Sequence, residues 1–190
     1  ELNLPYLDTG LLYRAVGRLV LDAGQDPAAP AEDFARKLKA EDTQRKDLRT
    51  QEVARAASLV AAQPAVRSAL VDTQRRFAQE RGGVLDGRDI GTAIFPDADV
   101  KLFITASPAT RTLRRFLQLG EDPNAEGAAA RLAEMEAALQ ARDEADAGRQ
   151  TAPMQVAADA VVIETDTLSA DAVLAEALRV VRERLGTQAG

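Results

Sequence analysis

Four short stretches of this chain carry residues that could do chemistry. Asp86-Gly87-Arg88-Asp89-Ile90-Gly91-Thr92 follows the glycine pair Gly82-Gly83 and the apolar run Val84-Leu85. It reads as a strand whose carboxyl end delivers two carboxylates and a guanidinium into a crevice, the edge where open α/β sheets bind ligands. An Arg between two Asp suits a polar, phosphate-bearing ligand; a turn holding a structural ion pair is an equal alternative. Asp8-Thr9-Gly10-Leu11-Leu12-Tyr13-Arg14 places a carboxylate and a hydroxyl at another strand end, with Tyr13 and Arg14 in the first turns of a helix. The unpaired N–H groups there favour an anion, although a helix capped by Asp8 or Thr9 explains the same residues.

The other two stretches are plainer. Arg49-Thr50-Gln51-Glu52-Val53-Ala54 is followed by Ser58, two helical turns after Gln51, and by Arg67 in the next helix. An ordinary solvated helix pair accounts for this pattern. Arg142, Asp146 and Arg149 are spaced by four and three residues, which puts them on one helical face. A surface ion pair of little net value is the plain alternative. Together the clusters fall on segments suited to a core, an acceptor-binding insert and a lid.

Composition narrows the chemistry. The 190 residues suit one domain with a small appended subdomain, and 46% hydrophobic with 28% charged residues is a globular balance. There is no cysteine and no histidine, which excludes thiolate or imidazole nucleophiles, bases and metal ligands. The net charge of −6 predicts no general attraction to nucleic acid. Only Lys37, Lys39, Lys46 and Lys101 among the 24 basic residues are lysine. Coding bias explains most of that skew, and Arg also supplies the planar fork that grips phosphate. No run of about 18 apolar residues predicts a membrane span, and no signal peptide is visible at Glu1.

The elements that must position these groups alternate. Leu4 to Leu7 reads as a strand, Asp8-Thr9-Gly10 as its turn, and Leu11 to Leu21 as a helix with Leu12, Ala15, Val16, Leu19 and Val20 inward. Gly24 stops that helix, and a short helix follows near Ala31 to Leu38. Lys39 to Arg49 is polar and aperiodic, and reads as a linker, a mobile segment or a scar of missing residues. Helices Gln51 to Ala62 and Ala65 to Glu80 are split by Pro64. Strands at Val84-Leu85, Asp99 to Thr105 and Ala160 to Ile163 alternate with a Ser107-capped helix, a thinly apolar helix Ala125 to Ala147 and a last helix from Ser169. The expected fold is α/β, a parallel sheet with helices on both faces and all strand ends on one edge.

The same motifs resemble the bacterial cytidylate (CMP) kinases. Leu7 to Arg14, Arg49 to Ala54, Asp86 to Thr92 and Phe95-Pro96-Asp97-Ala98 carry the likeness, with Arg142-Asp143, Arg149, Ala152-Pro153 and Ala157-Ala158-Asp159-Ala160. The resemblance implies a P-loop nucleoside monophosphate kinase fold: core 1–24, 82–120 and 150–190, acceptor-binding insert about 25–81, lid about 121–149. It implies phosphoryl transfer from ATP, with Mg2+, to CMP or dCMP in pyrimidine nucleotide metabolism, by a cytoplasmic monomer with no nucleic-acid or membrane partner. It implies that Ser58, Arg67 and Asp89 hold the cytosine and that Arg142 and Asp146 hold the sugar. Thr9, Tyr13, Arg14, Arg88 and Arg149 would surround the acceptor phosphate or the transferring group, with Arg14, Arg88 and Arg149 catalytic. No protein metal ligand is implied.

One departure from the family pattern is large. The family opens with a strand and a Gly-x-x-x-x-Gly-Lys-[Ser/Thr] loop that wraps the ATP phosphates, and nothing in this chain matches it. The chain is therefore expected to be the ordered part of a longer protein. Ala145 and Gly148 also stand where basic or polar lid residues are common, so the lid is expected to grip phosphate with fewer contacts. The alternatives are a non-catalytic nucleotide-binding degenerate kinase, or a related kinase with another acceptor, against which the Arg67 and Asp89 combination argues.

Overall fold

A computed structural model describes residues 1–79 and 82–186. The chain divides into two compact units, Glu1–Phe95 with Arg149–Pro153, and Pro96–Gly148 with the chain from Met154. Residues 25–79 lie in the first unit and residues 121–148 in the second, while Arg149 falls with the first.

In the first unit, strand β1 (Tyr6–Asp8) runs straight into helix α1 (Thr9–Asp22). The expected Asp8-Thr9-Gly10 turn does not form. Asp8 is extended at the helix start and its side chain makes no capping bond. The Thr9 hydroxyl instead donates to the Asp86 carbonyl at 2.7 Å, fastening the start of α1 to strand β2 (Val84–Asp86). β1 and β2 pair in parallel with Tyr6 opposite Val84 and Asp8 opposite Asp86. Two carboxylates thus reach the carboxyl ends of adjacent strands side by side.

Leu12, Ala15, Val16 and Val20 of α1 are buried as expected, while Leu19 is only half-buried. Gly24 ends the helix in a left-handed conformation (φ +66°). Helix α2 (Glu32–Arg36) is short; α3 (Gln51–Ala61) is capped by Thr50, whose hydroxyl accepts from Val53 N at 3.3 Å. Helix α4 (Pro64–Gln79) starts on the proline; Glu80, placed in this helix from the sequence, lies outside the described residues. α1 packs closely on α3. A Cβ on Gly17 would come within 3.0 Å of both Ala56 Cβ and Ala57 N, so the helices approach because this residue has no side chain.

Lys39 to Arg49 is not a linker. It forms two 3-10 turns, Ala40–Gln44 and Lys46–Arg49. Charge pairing orders it, which an apolar periodicity cannot reveal. Arg45 donates to Asp47 at 3.0 and 2.7 Å and to Asp22 of α1 at 2.6 Å. Leu48, 1% exposed, is its single deep apolar anchor, packed with Ala15 and Val53. A further unexpected element is the wide helical turn Ile90–Ile94 after β2. Gly87 is required ahead of it, since a Cβ there would lie 2.4 Å from the Thr9 hydroxyl.

In the second unit, strands β3 (Leu102–Thr105) and β4 (Val161–Glu164) pair in parallel, Leu102 opposite Val161. Helix α5 (Pro108–Gln118) has the expected Ser107 cap, which accepts from Thr110 N at 3.2 Å. It packs on α6 (Ala128–Ala147), whose Leu132, Met135 and Leu139 are only half-buried, the thin stripe expected. Helix α7 (Ala170–Gly186) follows β4. The α/β class and parallel strands are as expected; among the described residues the strands pair as two two-stranded sheets, β1 with β2 and β3 with β4.

Two outcomes test this packing. Gly17→Val should lower unfolding stability by about 1–3 kcal/mol, the usual range for overpacking, read by urea denaturation. The second concerns acid. Arg18 and Arg45 hold the Asp22 carboxyl below its ordinary value, and Arg45 does the same for Asp47. A depressed folded value stabilises the fold above the unfolded carboxyl value of about 3.9 and is lost as pH falls through the folded one. Asp47→Asn should therefore be less stable than the parent at neutral pH, and the two should converge toward about pH 2.

Candidate functional site

Three of the groups singled out in the first unit, Tyr13, Arg67 and Asp89, meet at one buried ion pair. Arg67 of α4 and Asp89, at the head of the wide turn, are 5% and 6% exposed. Arg67 NH2 donates to Asp89 Oδ2, and its NH1 donates to the Ala61 carbonyl at 3.2 Å. The guanidinium lies over the Tyr13 ring, 5.5 Å from its centre, a cation–π arrangement that strengthens when water is excluded. Tyr13 is itself buried, and burial pushes its hydroxyl above the ordinary value; Arg67 pulls the other way, Asp89 adds to the rise, and Gln74 and Arg149 oppose it. Arg149 is thus close enough for its charge to act on Tyr13.

Gln74 was not anticipated from sequence. It is 1% exposed, hydrogen-bonds Tyr13 and donates to the Leu70 carbonyl at 3.2 Å. It follows Arg67 by seven residues, the same face of α4, so a polar residue repeated along an otherwise apolar stripe was the available signal. α4 also holds the wide turn through Arg75, which donates to the Ile94 and Ala93 carbonyls at 3.2 and 3.4 Å.

At the strand ends, Arg14 is half-buried and its NH1 donates to the Leu48 carbonyl at 2.8 Å. Arg49 lies 3.8 Å from Asp8. Tyr6, also unanticipated, donates its hydroxyl to Asp86 Oδ2 at 2.9 Å; burial first, then the Asp86 carboxylate, push that hydroxyl up to about 12. Arg88 is exposed between Gly87 and Asp89. Thr9 is buried, with its proton committed to the Asp86 carbonyl, so it braces the strand ends. Ser58 is half-buried and donates to Ala54 of its own helix at 3.2 Å.

In the second unit, Arg142 and Asp146 share a face of α6. Asp146 is 1% exposed, so it is no surface ion-pair partner. Its carbonyl accepts from Met154 N at 2.9 Å, and Asp143 pairs with Arg111 of α5. The single helical face expected for Arg142, Asp146 and Arg149 is not formed. α6 ends at Ala147, and Arg149 belongs with the first unit.

The model of the cytidylate kinase family matches residues 1–183. A protein named cytidylate kinase from Granulibacter bethesdensis is 55% identical over 184 residues, 96% of this chain and 86% of that protein. One of the same name from Acidiphilium cryptum is 53% identical over 188 residues, 96% of this chain and 85% of its own. A third, from Paramagnetospirillum magneticum, is 49% identical over 187 residues, covering 95% and 87%. The chain belongs to the cytidylate kinase family. Within a cytidylate kinase the buried Arg67–Asp89 pair is costly to keep, because removing two charges from water costs several kcal/mol per ion.

Breaking the pair from one side should show that cost. Asp89→Ala should lower stability by about 3–5 kcal/mol, the range for a buried charge left uncompensated. Adding Arg67→Met to it should recover part of the loss, and a double-mutant cycle by chemical denaturation reads the coupling.

Proposed function

We propose that the acceptor's cytosine is read between Arg67 and Asp89, and that its phosphate is gripped by arginines gathered near the ends of β1 and β2. The enzyme is a nucleoside monophosphate kinase that transfers a phosphoryl group from ATP to CMP or dCMP. The observation that carries the proposed base pocket is the buried Arg67–Asp89 pair, with the Arg67 guanidinium over the Tyr13 ring. Cytosine presents an exocyclic amine beside ring acceptors. A carboxylate accepts from the amine, and a guanidinium donates to the acceptors. Arg67 engages one Asp89 oxygen, and the carboxylate's second oxygen suits the amine. Uracil would set a carbonyl against that carboxylate.

In this reading Arg14, Arg88 and Arg149 bind the acceptor phosphate and neutralise charge on the transferring group, while Arg142 and Asp146 hold the sugar. Ser58 completes the base site, and Tyr13 acts by seating Arg67. Thr9 acts through the strand ends that it ties together. No base is needed, because the nucleophile is a phosphate oxygen already ionised near neutral pH, and catalysis is alignment and charge stabilisation.

Magnesium carried on ATP would supply positive charge to the transferring phosphate. It needs no protein cage, since it keeps waters and phosphates as ligands. Among the described residues there is no group of three or more Asp, Glu, His or Cys placed to hold a metal ion. The same reading places the enzyme in the cytoplasm as a monomer. Among the described residues no helix is long and apolar enough to cross a membrane.

An ADP-release assay on the full-length protein, with its phosphate-binding loop, tests the acceptor with CMP, dCMP, UMP and AMP. CMP and dCMP should be turned over well and UMP and AMP poorly. Asp89→Asn should shrink the CMP-over-UMP preference by about tenfold or more, the worth of a well-made base contact; an unchanged ratio overturns the base pocket. Arg149→Ala should lower kcat by about 10²–10³, as for loss of one transition-state donor.

A further inference from the structure

The 39–49 segment holds a charge network that the phosphoryl-transfer chemistry does not use. Asp22 of α1 accepts from Arg18 Nε at 2.8 Å and from Arg45 NH1 at 2.6 Å. Arg45 grips both Asp47 oxygens, at 3.0 and 2.7 Å. Arg18 closes the ring, 3.8 Å from Asp47 and 3.5 Å from Glu52 of α3. One exposed pair of this kind contributes little, whereas a closed network of alternating sign can fix geometry.

What the network fixes is set by chain adjacency. Asp47 belongs to the ring; the next residue, Leu48, has a buried side chain and a carbonyl that accepts from Arg14 NH1 at 2.8 Å. The residue after that, Arg49, lies 3.8 Å from Asp8 at the end of β1. Three consecutive residues thus join the ring, the core and the strand-end site. Arg14 and Arg18 are one turn apart on α1, so the same helix carries both the ring and the group that the ring reaches. A guanidinium is a rigid planar fork. Holding one N–H on the Leu48 carbonyl sets the plane of the Arg14 guanidinium.

We propose that Arg45, clamped between Asp22 and Asp47, is a positioning residue for acceptor binding: it sets the Leu48 carbonyl, and through it the orientation of the Arg14 guanidinium. The proposal rests on the reading of Arg14 as an acceptor-phosphate ligand. It assigns the ring to the acceptor side of the reaction and not to the ATP side.

The test is steady-state kinetics on the full-length protein, varying CMP at saturating ATP and ATP at saturating CMP, with thermal unfolding alongside. Arg45→Ala and Asp47→Asn should raise KM for CMP about tenfold, in keeping with a misplaced binding group, and leave KM for ATP within about twofold. Arg45→Lys, which keeps the charge and loses the fork, should fall between. The decisive arm is Arg14→Ala with and without Arg45→Ala. If Arg45 acts through Arg14, the second substitution adds no further rise in KM for CMP. A full additional rise in the Arg14→Ala background, or a lowered melting temperature with both KM values unchanged, overturns the proposal. An unchanged KM for CMP in Arg14→Ala alone overturns the phosphate-ligand reading, and the proposal with it. Should Arg45→Ala not fold, Arg45→Lys in both backgrounds supplies the same cycle.

Discussion

The first unit is organised by one requirement, that a guanidinium and a carboxylate held out of water keep partners on every side. Arg67 and Asp89 would each lose several kcal/mol of hydration if buried alone. The surrounding chain offsets this. The Ala61 carbonyl takes a second Arg67 N–H, the Tyr13 ring lies under its plane, and Gln74 ties Tyr13 to α4. On the other side the Asp89 carbonyl accepts the N–H groups of Thr92, Ala93 and Ile94 at 3.3, 2.8 and 3.3 Å. Arg75, two turns along α4 from Arg67, holds the far end of that turn through the Ile94 carbonyl. The wide turn is therefore a consequence of the pair: it presents Asp89 to α4 and is clamped at both ends by arginines of that helix.

Helix α1 connects this centre to the strand ends. Tyr13 and Arg14 are adjacent, so about 100° of helix separates them. Tyr13 faces Arg67, and Arg14 reaches the Leu48 carbonyl. Both directions depend on the rotation of the helix about its axis. Three contacts set that rotation: the Thr9 hydroxyl on the Asp86 carbonyl, the absence of a side chain at Gly17 against α3, and the Arg18–Asp22 pair on Arg45. The first fastens the start of the helix, the second its middle and the third its end. A helix held at three points cannot turn one residue toward its target and leave the other behind.

The parts legible in the sequence were those written in periodicity, caps and spacing. The apolar stripe of α1, the Ser107 cap, Pro64 at the head of α4 and the parallel strands follow from local rules. What escaped was set by charge acting across sequence distance. Arg45 lies 23 residues from Asp22, and the polar segment between Lys39 and Arg49 offers no apolar period to betray that it is ordered. The Ile90–Ile94 turn escaped for a related reason, since its order comes from Arg75 and from the Asp89 carbonyl. Arg142, Asp146 and Arg149 were grouped by helical spacing, which fails once the helix stops at Ala147. Tyr6 has no local signature, as a lone polar group on an apolar element, whereas Gln74 has only its seven-residue spacing from Arg67 along α4.

The same reliance on fixed charge runs through the chemistry. A chain without histidine or cysteine has no side chain whose ordinary value lies between about pH 5 and 8. It cannot move a proton near neutrality by the usual imidazole route, and transfer to a phosphate oxygen does not ask it to. What that reaction asks is that cations stand where charge develops and do not reorient as it does. Guanidinium groups meet this only when their planes are fixed, since a mobile arginine would have to be ordered as it bound. In this unit Arg67 is fixed by an aspartate and a ring, Arg14 by a backbone carbonyl, and Arg45 by two aspartates. The surplus of acidic residues behind the net charge of −6 is thus partly an instrument of positioning. Asp22 and Asp47 hold Arg45 in place rather than offering themselves to an anionic substrate that they would repel.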